Sequence, residues 1–268
     1  MEPSYQLLGS AAELYDRYLV PAVTSRWATG LIERAAPQSG ECLLDIACGT
    51  GIVSRLVAAQ LTSGRVVGLD INPKMLAVAR TVPRRGLPIE WHEASVLQMP
   101  FDDASFDVCV CQNGLQFFPD RPNALREVAR VLRLGGRIAF SVYTAIERMP
   151  VALALADAFD RHLGIGASAN KRSEHGLNDA DELYRLADRA GFHDIAIETA
   201  TQTVEFESVR KYVQIQLEAT PMAGMVATMT PDHREAIAAA IAEDLIAATD
   251  QTGELAFVQE VHNLLAHK

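Results

Sequence analysis

Long hydrophobic runs are missing from this sequence. No apolar stretch approaches the roughly 20 residues that a membrane-spanning helix needs, so no membrane is expected among its partners. Met1-Glu2-Pro3 begins neither a signal peptide nor a basic transit segment. Basic residues are outnumbered, 24 Lys and Arg against 34 Asp and Glu, which gives a net charge of −10. A phosphate backbone is neutralised by a basic surface, so nucleic acid is not expected as a partner. Cysteine is sparse, with four residues. Cys42 and Cys48 flank one apolar stretch, while Cys109 and Cys111 fall on one side of another. No Cys-x-x-Cys pair or neighbouring histidines accompany them, so no metal is expected. Buried free thiols and a cytoplasmic location are the expectation.

Two nucleotide signatures are also absent. There is no Gly-x-x-x-x-Gly-Lys-Ser/Thr loop for a nucleoside triphosphate. The dinucleotide fingerprint Gly-x-Gly-x-x-Gly begins with Gly49 and Gly51 but has Ser54 at its third position. That substitution disfavours an NAD-dependent oxidoreductase.

What is present is a chain of 268 residues, 49% hydrophobic and 22% charged, enough for a full core. Apolar segments alternate with helical ones, which indicates a parallel α/β sheet with helices on both faces. Strands are predicted at Cys42–Ile46, Arg65–Asp70, Ile89–Glu93, Phe106–Gln112, Arg137–Tyr143 and His193–Thr199, with a last one at Leu255–Leu265. One helix follows Gly51 and stops by Gly64. Another is capped by Asn72 with Pro73 in its first turn. A third runs from near Pro122 to Gly135-Gly136, and a fourth from about Asp179 to Ala190, ended by Gly191.

Two regions stand outside that core. The stretch Ala11 to Ala36 is amphipathic, with Leu14, Tyr15, Tyr18 and Leu19 at helical spacing. Val209 to Asp250 is helical and rich in Ala and Met, its clearest helix opening at Thr230-Pro231-Asp232. The expected organisation is N-terminal lid helices over 1–36, a Rossmann-like core over 37–206 and 251–268, and a helical cap over 207–250.

The densest chemical signal is Leu43-Leu44-Asp45-Ile46-Ala47-Cys48-Gly49-Thr50-Gly51. An apolar strand, an acid near its end and a glycine turn opening a helix make a cofactor pocket. Asp70 closes the next strand at the position of a ribose clamp, where a carboxylate meets two hydroxyls with charge-assisted hydrogen bonds. Asp45 would repel a phosphate and suit an ammonium. S-adenosylmethionine carries an α-ammonium, a sulfonium and a ribose, and so fits both acids.

These residues resemble the first motif of class I S-adenosylmethionine-dependent methyltransferases. The likeness continues through Gly68-Leu69-Asp70-Ile71-Asn72-Pro73, Met99-Pro100-Phe101-Asp102-Asp103, Gln112-Asn113-Gly114-Leu115-Gln116-Phe117-Phe118 and Arg130-Val131-Leu132-Arg133-Leu134-Gly135-Gly136. In order and spacing these blocks are similar to small-molecule methyltransferases typified by quinone-biosynthesis enzymes. The resemblance implies a mostly parallel seven-stranded sheet with its last strand antiparallel at the edge. It assigns Asp45 to the methionine end of the cofactor, with Ala47, Gly49 and Gly51 forming the turn that approaches it. Ile71 and Met75 are expected near adenine, although core packing accounts for them equally. Many relatives carry Asp where Ser95 stands, so adenine recognition is expected to lean on backbone groups such as the Val96 amide. Leu134 replaces a usual Pro and is expected to alter only a turn. Gln112 sits at the carboxyl edge of a strand, where such sheets bind ligands.

The acceptor is harder to read. Tyr15, Tyr18, Gln116, Phe117, Tyr143, His175 and Met222 are candidate substrate residues, with His162 and His175 as candidate bases. Met222, Met225 and Met229, with Phe206 and Leu217 near, would line a pliable apolar pocket. No catalytic residue is singled out. The expected activity is methyl transfer to a small, moderately apolar O, N or C acceptor such as a secondary metabolite. A non-methylating rearrangement on the same cofactor, or an inactive regulatory protein, are the alternatives, and a homodimer stays open.

Overall fold

The computed structural model describes residues 10–268; the start of the expected lid and the Met1-Glu2-Pro3 reading lie outside them. The chain opens with helical turns α1 (Ala11–Leu14) and α2 (Ser25–Ala35), joined without a break by Tyr15–Thr24, which is wound as a π-helix. Pro21 lies inside that stretch and has no N–H to give, so the wider winding accommodates it; the Ser25 amide reaches back five residues to the Val20 carbonyl. Then follow β1 (Cys42–Ile46), α3 (Ile52–Gln60), β2 (Arg65–Asp70), α4 (Pro73–Thr81), β3 (Ile89–Glu93) and β4 (Phe106–Gln112). Asn72 caps α4 by accepting from the Lys74 amide at 2.9 Å.

Next come α5 (Arg121–Val131) and β5 (Leu132–Tyr143). The predicted helix to Gly135-Gly136 therefore stops four residues early, and β5 begins through the two glycines. Phe106 pairs with Leu132 and Val108 with Arg137, so the extra residues loop out of the ladder. Leu134 rides on that loop, 86% exposed. Pairing with a buried strand outweighs the local glycine signal.

The long connection after β5 carries α6 (Pro150–Leu163), α7 (Ala169–Ser173) and α8 (Ala180–Arg189). Strand β6 (His193–Phe206) runs seven residues past its predicted end. Helices α9 (Val209–Glu218), α10 (Met222–Val226) and α11 (Pro231–Thr249) precede β7 (Leu255–His267). The sheet order is β3-β2-β1-β4-β5-β7-β6. Strand β7 is antiparallel to both neighbours and lies inside the sheet, so the edge position implied by resemblance belongs to β6. Pairing along the whole of β7 is what lengthens β6.

Alternation along the strands sends residues to two apolar layers. Val108 and Val110 join Leu31, Ile32, Val53 and Val57 beneath α2 and α3. Cys109 and Cys111 face the opposite layer with Phe140, Leu125, Val128 and Leu183 from β5, α5 and α8. A third cluster binds α9–α11 to α6, to the N-terminal helix and to Phe206 and Phe257 of the long β6–β7 ribbon. The carboxyl ends of β1, β2 and β4 thus open beneath a roof of helices.

Candidate active site

A cavity of about 360 Å³ sits at those strand ends. On one side it is walled by the β1 and β2 turns. Asp45 is buried, and its Oδ2 accepts from the Ser54 amide at 3.0 Å and from the Ser54 hydroxyl at 2.6 Å. The residue that spoils the dinucleotide fingerprint is therefore the anchor of this acid. Burial pushes the Asp45 carboxyl up to about 7, against the lowering pull of the Ser54 bonds and with help from the charge of Asp70.

Asp70 is held from both sides by backbone. Its Oδ2 accepts from the Gly49 amide at 2.7 Å and its Oδ1 from the Asn72 amide at 2.8 Å. Burial still raises its pKa, opposed by those amides and that of Ile71. Each oxygen keeps a further lone pair for a ligand hydroxyl.

The turns carry unusual backbone. Ala47 and Asn113 both have positive φ, at 54° and 50°, and both line the cavity. Non-glycine residues in that region store strain and gather at binding sites. Gly49 lines the cavity at φ 56°, with Met75 close above it. Gly51 does not line it. Its φ of 84° opens α3, and a Cβ there would strike the Trp91 ring, which also covers Gly68.

Three side-chain atoms of wall residues are buried without a partner: the Gln112 Oε1, the Thr50 Oγ1 and the Asn72 Nδ2. The Gln112 Nε2 donates to the Thr24 carbonyl at 2.8 Å, which ties β4 to the π-helical roof. Ile71 is 57% exposed at the rim, so core packing does not account for it, whereas Met75 is buried against Ala11, Ala12 and Val78. Ser95 and Val96 line the wall, but the Ser95 hydroxyl already accepts from the Leu97 amide at 3.2 Å.

The far side is aromatic and polar. Tyr15, Tyr143, Tyr212 and Phe257 face the cavity, joined by Gln216 and Thr220. Lys171 and Glu174 pair there at 2.7 Å.

A family model described as a methyltransferase domain matches residues 44–140. A demethylmenaquinone methyltransferase of Thermus thermophilus is 35% identical over 47% of this chain and 58% of its own length. The chloroplastic 2-phytyl-1,4-beta-naphthoquinone methyltransferase of Arabidopsis thaliana is 32% identical over 62% of this chain and 69% of its own. The chain belongs to the class I S-adenosylmethionine-dependent methyltransferases, of the quinone-biosynthesis type. It spans between half and about two thirds of the length of most of the curated relatives it matches. Among solved structures, the YcgJ protein of Bacillus subtilis shares the fold, with a TM-score of 0.57 at 20% identity over 91% of this chain and 98% of that one.

The cofactor-side candidates Asp45, Ala47, Gly49, Asp70, Ile71, Met75, Ser95, Val96 and Gln112 come together on one cavity. The acceptor candidates divide. Tyr15, Phe117 and Tyr143 line it; Tyr18, Gln116, His175 and Met222 do not. Tyr18 packs half-buried against the cluster around α9–α11, with the Arg17 and Lys211 cations over its ring. Gln116 donates to the Asn113 carbonyl at 2.9 Å and so braces the strained turn. His175 is buried behind Tyr143, and its Nδ1 donates to the Thr144 carbonyl at 2.7 Å. Burial, with the charge of Lys171, lowers its pKa and favours the neutral ring. His162 pairs with Asp244 at 2.8 Å, away from the cavity.

The methionine lining fails as well. Met222, Phe206 and Leu217 pack into the cap core, Met225 is 41% exposed, and Met229 packs against that core from outside. What the cap presents instead is Tyr212, Gln216 and Thr220. Nothing local in the sequence of α7 and the residue after it marks Lys171 and Glu174 as part of a cavity wall. All four cysteines are free thiols, Cys42 half-exposed and the others buried. Among the described residues no helix is long and apolar enough to cross a membrane.

Proposed function

We propose that this chain transfers a methyl group from S-adenosylmethionine to a small, quinone-like acceptor. The observation that carries this reading is the convergence of Asp45 and Asp70 on one cavity whose opposite wall is aromatic. The orphaned Gln112 Oε1 and Thr50 Oγ1 fit a ligand that brings donors to this wall. Asp45 and Gln112 hold the α-ammonium, Asp70 the ribose hydroxyls, and Ile71, Met75 and Val96 the adenine, with Ser95 contributing mainly its turn. Gly51 takes part only by shaping that turn. When bound, the cofactor supplies an electrophilic methyl and a neutral thioether leaving group.

The protein's own part is alignment and exclusion of water. The β1 and β2 turns fix one reactant, while Tyr15, Tyr143, Tyr212 and Phe257 enclose the other in a dry aromatic slot. Both relatives above carry names for methylation of naphthoquinones, and that supports an acceptor with a flat apolar ring. A cytoplasmic site of action and a role in secondary metabolism belong to the same proposal.

The test is a labelled-methyl transfer screen with 1,4-dihydroxynaphthalene among the acceptors and Asp70→Ala as control. Label in the organic product supports the reading. Acceptor consumed without label would instead indicate a rearrangement on the same cofactor. No cofactor binding by calorimetry would indicate a protein without this chemistry.

A further inference from the structure

The aromatic wall of the cavity contains an ion pair that packing alone does not require. Lys171 Nζ lies 2.7 Å from Glu174 Oε2, and the two side chains are only 10% and 13% exposed. Taking such charges out of water is costly before they attract each other, and two apolar side chains would close the wall as well. An ion pair kept where a ligand enters points to chemistry.

Its surroundings give each member a task. Burial pulls the Lys171 ammonium towards neutrality, but the Glu174 carboxylate and Tyr212 more than reverse this, so its pKa is raised and it stays a cation. Burial also raises Tyr143 and Tyr212, with the charge of Glu174 adding to it, so both phenols remain neutral donors. Tyr15 faces the pair from the π-helical roof, close to Asp16 and Asp70. His175 stands behind Tyr143 with Glu147 in its field. The wall thus combines one carboxylate acceptor, one ammonium and neutral hydroxyls.

We propose that Glu174 is the general base for an aryl hydroxyl of the acceptor, and that Lys171 holds the oxyanion so formed. This rests on the methyl-transfer reading. The acceptor O–H bond breaks, its proton passes to a Glu174 oxygen, and the electron pair stays on the acceptor. That pair, from the oxygen or the conjugated ring carbon, forms the bond to the methyl carbon as the carbon–sulfur bond breaks and its electrons return to sulfur. One sulfonium and one carboxylate charge are consumed, so the products are neutral. The acceptor class is therefore a phenol or hydroquinone with an ionisable hydroxyl, and an acceptor offering only an amine gains nothing from the pair.

The test uses Glu174→Gln and Lys171→Met in the full chain, with 1,4-dihydroxynaphthalene as acceptor. For Glu174→Gln, kcat is expected to fall about 100-fold at pH 7, within the range of general-base catalysis. It should then recover roughly tenfold per pH unit, because the hydroxyl must now ionise in solution. S-adenosylhomocysteine affinity should stay within about twofold. A second readout needs no turnover: 4-nitrophenol, whose ionised form absorbs visible light, should titrate at least about one pH unit higher when bound to Lys171→Met than to the wild type. The double variant Lys171→Met, Glu174→Leu leaves no unpaired ion; it should keep its melting temperature and lose both effects.

Wild-type kcat and pH profile in Glu174→Gln, or an unmoved nitrophenol titration in Lys171→Met, would overturn the assignment. If the wild type methylates nothing at all, the methyl-transfer reading fails, while the nitrophenol titration still decides the role of the pair.

Discussion

The Gln112 side-chain amide nitrogen donates to the Thr24 backbone carbonyl at 2.8 Å, while its oxygen is buried with no partner. One residue at the tip of β4 therefore fastens the roof with one atom and offers the other to the cavity. The Thr24 carbonyl ends the π-wound stretch, so the link depends on that winding.

Replacing Gln112 with Leu should loosen both sides of this arrangement. A hydrogen bond to a charged ammonium contributes about 1.5–3 kcal/mol, so S-adenosylhomocysteine affinity should fall roughly 10- to 100-fold. Calorimetry measures it. Wild-type affinity in the variant would mean that the buried oxygen meets no ligand.

Asp70→Asn removes the charge but keeps the shape. Hydrogen bonds to a charged group contribute about 1.5–3 kcal/mol, so affinity for the same probe should fall about 10- to 100-fold. The Asn amide would also point a donor at a backbone N–H of Gly49 or Asn72, which adds to the loss. An unchanged Kd would remove Asp70 from the cofactor's contacts.

Cofactor binding should depend on pH through Asp45. Its folded-state pKa of about 7 exceeds the ordinary 3.8. The protonated form is thus favoured by the fold; this contribution to stability is complete below about pH 4 and fades as pH rises through 7. An ammonium ligand needs the ionised form and must drive off the proton below pH 7. S-adenosylhomocysteine affinity should therefore weaken by up to tenfold per unit as pH falls from 7 to 5.5, and level off above 7. Ser54→Ala removes the hydroxyl bond, one of the two that lower this pKa, while the backbone amide bond stays, and should move the break to higher pH. A flat profile in the wild type would refute the role of Asp45.

Trp91 packs over Gly51 and Gly68, and the two glycines should differ under substitution. Gly68→Ala meets the ring and, less closely, the Cys48 Sγ, and overpacking of this kind costs about 1–3 kcal/mol, or several degrees of Tm. Adding Trp91→Leu should restore most of it. Gly51→Ala also has to hold a φ of 84°, so the same second change should rescue it only in part. Equal rescue at both sites would show that backbone strain at Gly51 is negligible.

The half of the cavity proposed for the cofactor was legible in the sequence because its residues are local. A strand end, a turn and a helix start lie within ten residues, so Asp45, Gly49 and Asp70 could be placed by spacing. Gly51 was legible as a turn residue, but its neighbour Trp91 comes from another strand. The wall proposed for the acceptor is assembled from α7, α9, β7 and the N-terminal helix, which meet only through tertiary packing. On α9 and α10, helix phase decides whether Tyr212 or Met222 faces the ligand, and residue type alone favoured the methionine. The β5 start at Leu132 was hidden for a similar reason, since its partner Phe106 is distant in the chain. Ser54 is legible in the sequence as a missing glycine, but its bond to the buried Asp45 shows only in the fold.

The interior position of β7 sets the order in which the sheet can close. Among the described residues strand β6 pairs with β7 alone, and the whole of α9–α11 separates the two in sequence. During synthesis β6 must therefore wait, unpaired along fourteen residues, until the cap has left the ribosome. Pairing of such high sequence separation is slow, and a waiting edge is prone to the wrong partner. Nascent chains arrested before residue 255 should be the ones that engage chaperones.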